Sequence, residues 1–298
     1  MTTTTLLSCA GLALATAAPL ALADEVTLNP SKDNTIYFNG TQNLSNGAGD
    51  YIFCGMTAEF PGGNPRRGLL RFDLGSIPAG STITSVKLTL WFEQGALTAT
   101  ARTCTLRRAL ADWGEGDSNA LGGEGQGAFA EPGDATWFFS FFNTQAWAAP
   151  GGEFSATVGA SAAVAYFPAQ DYVWGNTPEL VADVQGWLDT PASNFGWFLV
   201  GDESAAGTAR KFSSREYENE LRRPRLLVEF IPPAPPPCYA NCDESTQPPV
   251  LNVADFGCFL TRYAAAEAYA NCDESTQPPV LNVADFGCFL TKYAAGCP

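Results

Sequence analysis

Residues 239–265, YANCDESTQPPVLNVADFGCFLTRYAA, recur at 269–295 with one change, Arg262 to Lys292. The period is 30 residues. A copy this close gives both halves the same local structure, so the region is expected to fold as two like units packed as a pseudo-twofold pair. It follows the run PPAPPP at 232–237 and reads as a module of its own. That run favours an extended polyproline spacer of roughly 20 Å between modules.

Each copy carries oxygen-bearing side chains at a calcium-loop cadence. Asn241, Asp243 and Ser245 alternate like positions 1, 3 and 5 of such a loop, and Asn252 and Asp255 fall three apart like positions 9 and 12. The second copy supplies Asn271, Asp273, Ser275, Asn282 and Asp285. Hard cations prefer these oxygens, so calcium, up to two ions, is the expected cofactor. Asn252 also suits a helix N-cap that Asp255 can answer in a capping box. A short helix over Asp255–Tyr263 would follow, with Phe256, Phe259, Leu260 and Tyr263 on its apolar side.

Residues 238–298 resemble a dockerin, the duplicated calcium-loop–helix module, and more closely its cysteine-bearing variant on secreted planctomycete proteins. The residues carrying the likeness are N-C-D-x-S-T and L-N-V-x-D-F-x-C-F-L in each copy. Three departures stand out. Three extra residues lie between Ser245 and Leu251, Thr246 or Thr276 replaces the usual glycine, and each loop has only two carboxylates at ligand positions. Few charges imply modest affinity. The competing reading is a disulfide-stapled unit that needs no metal. The resemblance implies a partner like a cohesin, or a cell-surface protein.

Export is expected from the N-terminus. Residues 1–23 have no charge, Leu12–Leu22 is largely apolar, and Ala21-Leu22-Ala23 offers a small-residue cleavage site, although the usual N-terminal Lys or Arg is missing. No later run approaches membrane-spanning length, so the mature protein is expected outside the cytoplasm, secreted or on the cell surface. Of nine cysteines, Cys9 falls in the leader and eight remain. Cys54 and Cys104 are the two between leader and proline run, hence natural partners. Cys242 and Cys258 recur as Cys272 and Cys288, which suggests one bridge per repeat, while Cys238 and Cys297 bracket the module like a clasp. The sequence also permits cross-repeat pairing of Cys242 with Cys288. A tail of about 60 residues is small for a self-sufficient core, so staples are physically expected.

Net charge is −15, of which the tail contributes −5 from seven acids and two bases. Without a basic stripe, nucleic acid is not an expected partner. The chain has no histidine. Ser-His-Asp and Cys-His catalysis and imidazole metal sites are therefore absent from its repertoire.

Residues 24–231 alternate short β-branched and aromatic runs with Gly, Pro, Asn and Ser turns. Strands are expected at Thr35–Phe38, Gly68–Leu74, Ser85–Phe92, Thr100–Arg107, Trp137–Phe142, Trp197–Val200 and Arg225–Phe230. The fold class is mainly β, an antiparallel sandwich of jelly-roll type with one short helix, joined to the small helical tail. The helix should start at Thr177-Pro178, an N-cap followed by proline at the first position, with Leu180, Val181, Val184, Trp187 and Leu188 at helical spacing. Arg67–Leu74, Ser76–Gly80, Trp147 before Pro150–Phe154, Asn194–Trp197, Ser214–Glu216 and Arg223-Pro224 follow one another in that order. On these motifs the segment resembles the DNRLRE-domain family of sandwich modules, which includes a carbohydrate-binding group.

The resemblance implies a polysaccharide partner. Tyr172 and Trp174, flanked by loops, are the candidate stacking platform, while Trp147 and Trp197 are expected in the core. Arg71, Asp73, Arg215 and Glu216 suggest an ion pair tying an early strand to a late one. Asp112, Glu115, Asp117, Glu124, Glu131 and Asp134 lie in a Gly-rich stretch and are expected to be solvated loop acids. No spacing among them singles out a glycosidase pair, so no catalytic residue is assigned. The expectation is a non-catalytic two-module protein; a polysaccharide hydrolase or lyase delivered by the tail, and a structural envelope protein, are the alternatives.

Overall fold

The computed structural model describes residues 23–59, 62–95, 100–233 and 238–297. The expected leader and most of the expected proline spacer lie outside these residues. The chain divides into two compact units, Met1–Pro233 and Ala234–Pro298.

The first unit is mainly β and antiparallel. Its principal strands are β1 (Asp24–Leu28), β2 (Pro30–Tyr37), β3 (Tyr51–Met56), β4 (Pro65–Phe72), β5 (Thr82–Gly95) and β6 (Arg102–Arg108). There follow β7 (Ala160–Val164), β8 (Gln170–Gly175), β9 (Trp197–Val200), β10 (Arg210–Ser213) and β11 (Arg225–Ile231). The hydrogen-bonded order is β1-β11-β5-β10-β3-β4-β9-β6-β7, with β8 also on β5 and β2 also on β4. β3 makes the sheet fold over. Tyr51–Cys54 pair with β10, whereas Gly55 and Met56 pair with β4. Gly55 sits there at φ 92°, and a Cβ would come within 2.8 Å of the Thr208 carbonyl, so only glycine fits this corner.

The two layers enclose one core. β5 sends Val86, Leu88, Leu90 and Phe92 inward, each fully buried, as period-2 alternation requires. They meet Leu70, Phe72, Trp197, Leu199 and Phe212. One end is covered by α1 (Pro178–Asp189), which Thr177 caps by accepting from the Leu180 N–H. Its buried residues Leu180, Val184 and Trp187 join the same core. The excursion between β6 and β7 forms a second cluster, in which Trp113, Trp137, Trp147 and Phe198 pack with Ile36 and Leu69. The expected strand at Trp137–Phe142 shrinks to the three residues Phe139–Phe141, because the flanking rings turn into this cluster.

In the second unit the helices are α2 (Val253–Ala264) and α3 (Val283–Ala295), so each begins two residues before the acid at which the sequence placed its start. Both caps are complete capping boxes, with Asn252 answered by Asp255 and Asn282 by Asp285. The repeats meet through like residues. Phe259 stacks on Phe289 with centroids 4.2 Å apart, and Tyr239 stacks on Tyr269 at 4.8 Å. Each of these tyrosines donates its hydroxyl to the other's backbone carbonyl. Arg262 lies over Tyr269 and its counterpart Lys292 over Tyr239, so both residues at the one varied position make the same cation–π contact with the other repeat. Burial, and then the stacked Tyr269, push the Tyr239 hydroxyl up to about 12.

Candidate functional site

Each tail loop closes on the carboxylate at the start of its helix. The chain reverses at Glu244 and Glu274, both at φ 56°, two residues before Thr246 and Thr276. In the first loop the Ser245 N–H donates to Asn241 Oδ1 (3.1 Å) and Asp243 Oδ1 (3.0 Å). Asp255, fully buried, accepts from the Asn252 N–H at 2.8 Å and the Asp243 N–H at 3.3 Å. Ser245 Oγ donates to the Val250 carbonyl at 3.0 Å. The second loop repeats these contacts through Asn271, Asp273, Ser275 and Asp285.

The Asp243 N–H on Asp255 Oδ1 ties the two acids of the loop together across eleven intervening residues. The Ser245 N–H, with help from Asp255, holds Asp243 below the usual carboxylate range. At Asp285 burial works upward, but the N–H groups of Asn282, Asp273 and Cys272 and the Asp273 carboxyl outweigh it and leave the group lowered. Among the described residues none of the four carboxylates has a cationic partner. An all-oxygen donor set with two acids lacking a cationic partner fits a hard cation. The loop gathers Asn241, Asp243, Ser245 and Asp255. Asn252 and Asn282 are occupied instead as caps, with Oδ1 on the Ala254 and Ala284 N–H at 2.7 Å.

Three disulfides staple the unit, Cys238–Cys297, Cys242–Cys258 and Cys272–Cys288. The two inner bridges pair within each repeat, not Cys242 with Cys288 across them. Cys54 and Cys104 are both buried in the first unit with sulfurs 3.2 Å apart, but they stand as two thiols and not as the bridge their isolation in the sequence suggested. Burial, then the neighbouring thiol, raises Cys54 well above the ordinary thiol range.

The expected stacking platform is corrected. Trp174 is fully buried and donates Nε1–H to the Cys104 carbonyl at 2.8 Å. Tyr172 is partly buried, edge-on to Phe92 at 5.7 Å. The two share a face of β8 two residues apart, and pairing of β8 with β5 turns that face inward, leaving Val173 outside. Trp147 and Trp197 are buried.

Asp117 and Glu131 are exposed, as expected of loop acids, but Glu115, Glu124 and Asp134 are not. Glu124 accepts from the Asn46 amide at 2.8 Å and from the Tyr51 N–H at 3.0 Å, and Asp134 is fully buried. Glu115 accepts from the Asp33 N–H at 2.7 Å and pairs with Arg215 at 2.9 Å. They pin the excursion to the sandwich, because a buried carboxylate must be hydrogen-bonded. The tie between early and late chain therefore runs from Arg215 to Glu115 and, through its backbone N–H, to Asp33 at 2.7 Å. Arg71 and Asp73 have no part in it. Burial, then the Glu216 charge, pushes Asp33 well above the ordinary carboxylate range.

An open groove of 740 Å³ crosses β6 and the end of β9, lined by Thr103, Thr105, Arg107, Val200 and Glu203 among others. Its edge is fixed by the pairs Arg102–Asp202 (2.9 Å) and Arg67–Glu203 (2.7 Å). Alternation along β6 puts Thr103, Thr105 and Arg107 on one face, a row of hydroxyl and guanidinium groups that sequence reasoning passed over because none is aromatic. No helix among the described residues is long and apolar enough to cross a membrane. No protein-family model matches the chain, and no curated protein matches it.

Proposed function

We propose that this is an exported, non-catalytic two-module protein whose tail is a dockerin-like, calcium-stabilised attachment module. The observation that carries the reading is the set of oxygen-bearing side chains each loop draws together, with two carboxylates that have no cationic partner among the described residues, Asp243 and Asp255 in one and Asp273 and Asp285 in the other. Bound calcium would be held by these acids with Asn241 and Ser245, or Asn271 and Ser275, and would neutralise two charges at a helix N-terminus. Its partner is a cohesin-like or cell-surface protein. The sandwich is displayed for carbohydrate binding, and the open groove with its row of Thr103, Thr105 and Arg107 replaces Tyr172 and Trp174 as the surface for a hydroxyl-rich chain. Three disulfides support an oxidising, extracytoplasmic setting.

The test is a thermal melt of the mature chain followed at the helical signal, in calcium and in EGTA. Calcium at a hundredfold excess over Kd should stabilise the tail by about 2.7 kcal/mol for each loop that binds. The exposed pair Asp243→Asn and Asp273→Asn should abolish that shift without disturbing the buried caps. An unchanged melt in the parent protein would leave the tail as a disulfide-stapled anchor without metal.

A further inference from the structure

Arg107 and Arg108 end β6, and strand alternation sends them to opposite faces. Arg107 lines the open groove, whereas Arg108 lines a separate cavity of 220 Å³ against the first two turns of α1. That volume lies below the roughly 300–1,000 Å³ of pockets for drug-sized ligands, which limits an occupant to something like one sugar ring. Gly159 and Ala182 put no bulk into it.

The polar groups on its wall are open. The Arg108 side chain keeps 45% of its surface exposed, and its Nε stands 3.5 Å from Asp183 Oδ1. Its terminal guanidinium nitrogens have no protein acceptor among the described residues. Asp183 is fixed from behind, because Oδ2 accepts from the Trp197 indole N–H at 3.0 Å. Ser155 Oγ accepts from the Thr157 N–H at 3.1 Å, which leaves the serine hydroxyl free to donate. Thr157 and Glu179 are exposed, and Glu179 has no cationic partner among the described residues. Burial raises Asp183 above the ordinary carboxylate range, and the nearby Glu179 charge adds to the rise.

We propose that this cavity binds the ring of an amino sugar. Its ammonium pairs with Glu179, and its hydroxyls accept from the free guanidinium N–H groups of Arg108 and from the Ser155 and Thr157 hydroxyls. Asp183 is a positioning residue that holds the guanidinium in place. The choice of a cation follows from charge. Arg108 and Asp183 offset each other, and Glu179 leaves one negative charge over. A neutral sugar leaves that charge unanswered. An amino acid would bring its carboxylate to Arg108 and so against Asp183, where like charges repel. The inference is independent of calcium in the tail and of glycan at the groove.

The experiment is an NMR titration of the isotope-labelled, disulfide-intact mature chain, following the amides of Thr157, Gly159 and Ala182. The probes are D-glucosamine, N-acetyl-D-glucosamine, D-glucose and glycine. Glucosamine should shift these amides saturably at millimolar concentration. N-acetylglucosamine, which keeps the ring but loses the charge, and glucose should bind at least about threefold more weakly, a modest factor because Glu179 is exposed. Glu179→Gln should erase that preference and leave the melting temperature unchanged, since the carboxylate has no cationic partner to lose. Arg108→Gln should weaken all three sugars by about fivefold. No saturable shift at these amides, a neutral sugar or glycine binding as tightly as glucosamine, or a preference that survives Glu179→Gln would each overturn the proposal. Where Arg108→Gln fails to fold, Glu179→Gln decides alone.

Discussion

Removing the clasp with Cys238→Ser and Cys297→Ser should cost the tail about half of its stability. The bridge closes a loop with a sequence separation of 59, against 16 for each inner bridge. The chain-entropy relation gives about 4 kcal/mol for the outer loop and about 3 for an inner one. With both inner bridges closed, the free path from Cys238 to Cys297 shortens to roughly 30 residues, which lowers the outer contribution to about 3.5 kcal/mol. A unit of this size has roughly 3–9 kcal/mol in total. The assay is urea unfolding of the mature chain in EGTA, so that calcium linkage adds nothing. All seven tryptophans lie before the proline run, so their fluorescence reports the first unit, while the helical circular dichroism is dominated by α2 and α3, with 12 and 13 residues against 12 in α1, and the part that does not move with the tryptophan signal follows the tail. With a slope near 1 kcal/mol per molar urea, the helical midpoint should fall by about 3.5 M and the tryptophan midpoint should stay in place. A fall of less than about 1 M would refute the entropic account. Equal movement of both midpoints would refute independent melting of the two units.

Two further outcomes concern the sandwich. Asp33 is raised by burial and by Glu216, so the folded protein keeps a proton that the unfolded chain releases above about pH 4; this group's contribution to stability therefore falls as pH rises toward the folded value. Asp33→Asn should raise the melting temperature at pH 8 more than at pH 5, and an equal effect at both would sink the argument. Trp174→Phe removes the hydrogen bond to the Cys104 carbonyl and part of a fully buried ring, and should cost about 2 kcal/mol by calorimetry while leaving glycan binding at the groove intact. Retained stability with lost glycan binding would restore the ring as a platform.

The sequence by itself determined what is local or repeated. Thr177-Pro178 announced α1, and Asn252 with Asp255 announced a cap, because capping is settled within three residues. The alternation at Val86, Leu88 and Leu90 marked one inward face of β5, since the strand period is two. The 30-residue copy implied two like halves, and like residues do meet across them, Phe259 on Phe289 and Tyr239 on Tyr269. Tertiary structure alone decided which face of β8 is inside, and so buried Trp174, because that depends on pairing with β5 some 80 residues earlier. It also decided which charges meet. Arg215 is drawn to Glu115 and Asp33, whereas Arg71, equally prominent in the sequence, has no ion pair among the described residues. Local periodicity fixes which residues share a face. What that face touches depends on chain brought together over more than a hundred residues, where burial makes every polar atom find a partner or remain, as at Arg71, Trp187 and Asn194, without one in the protein.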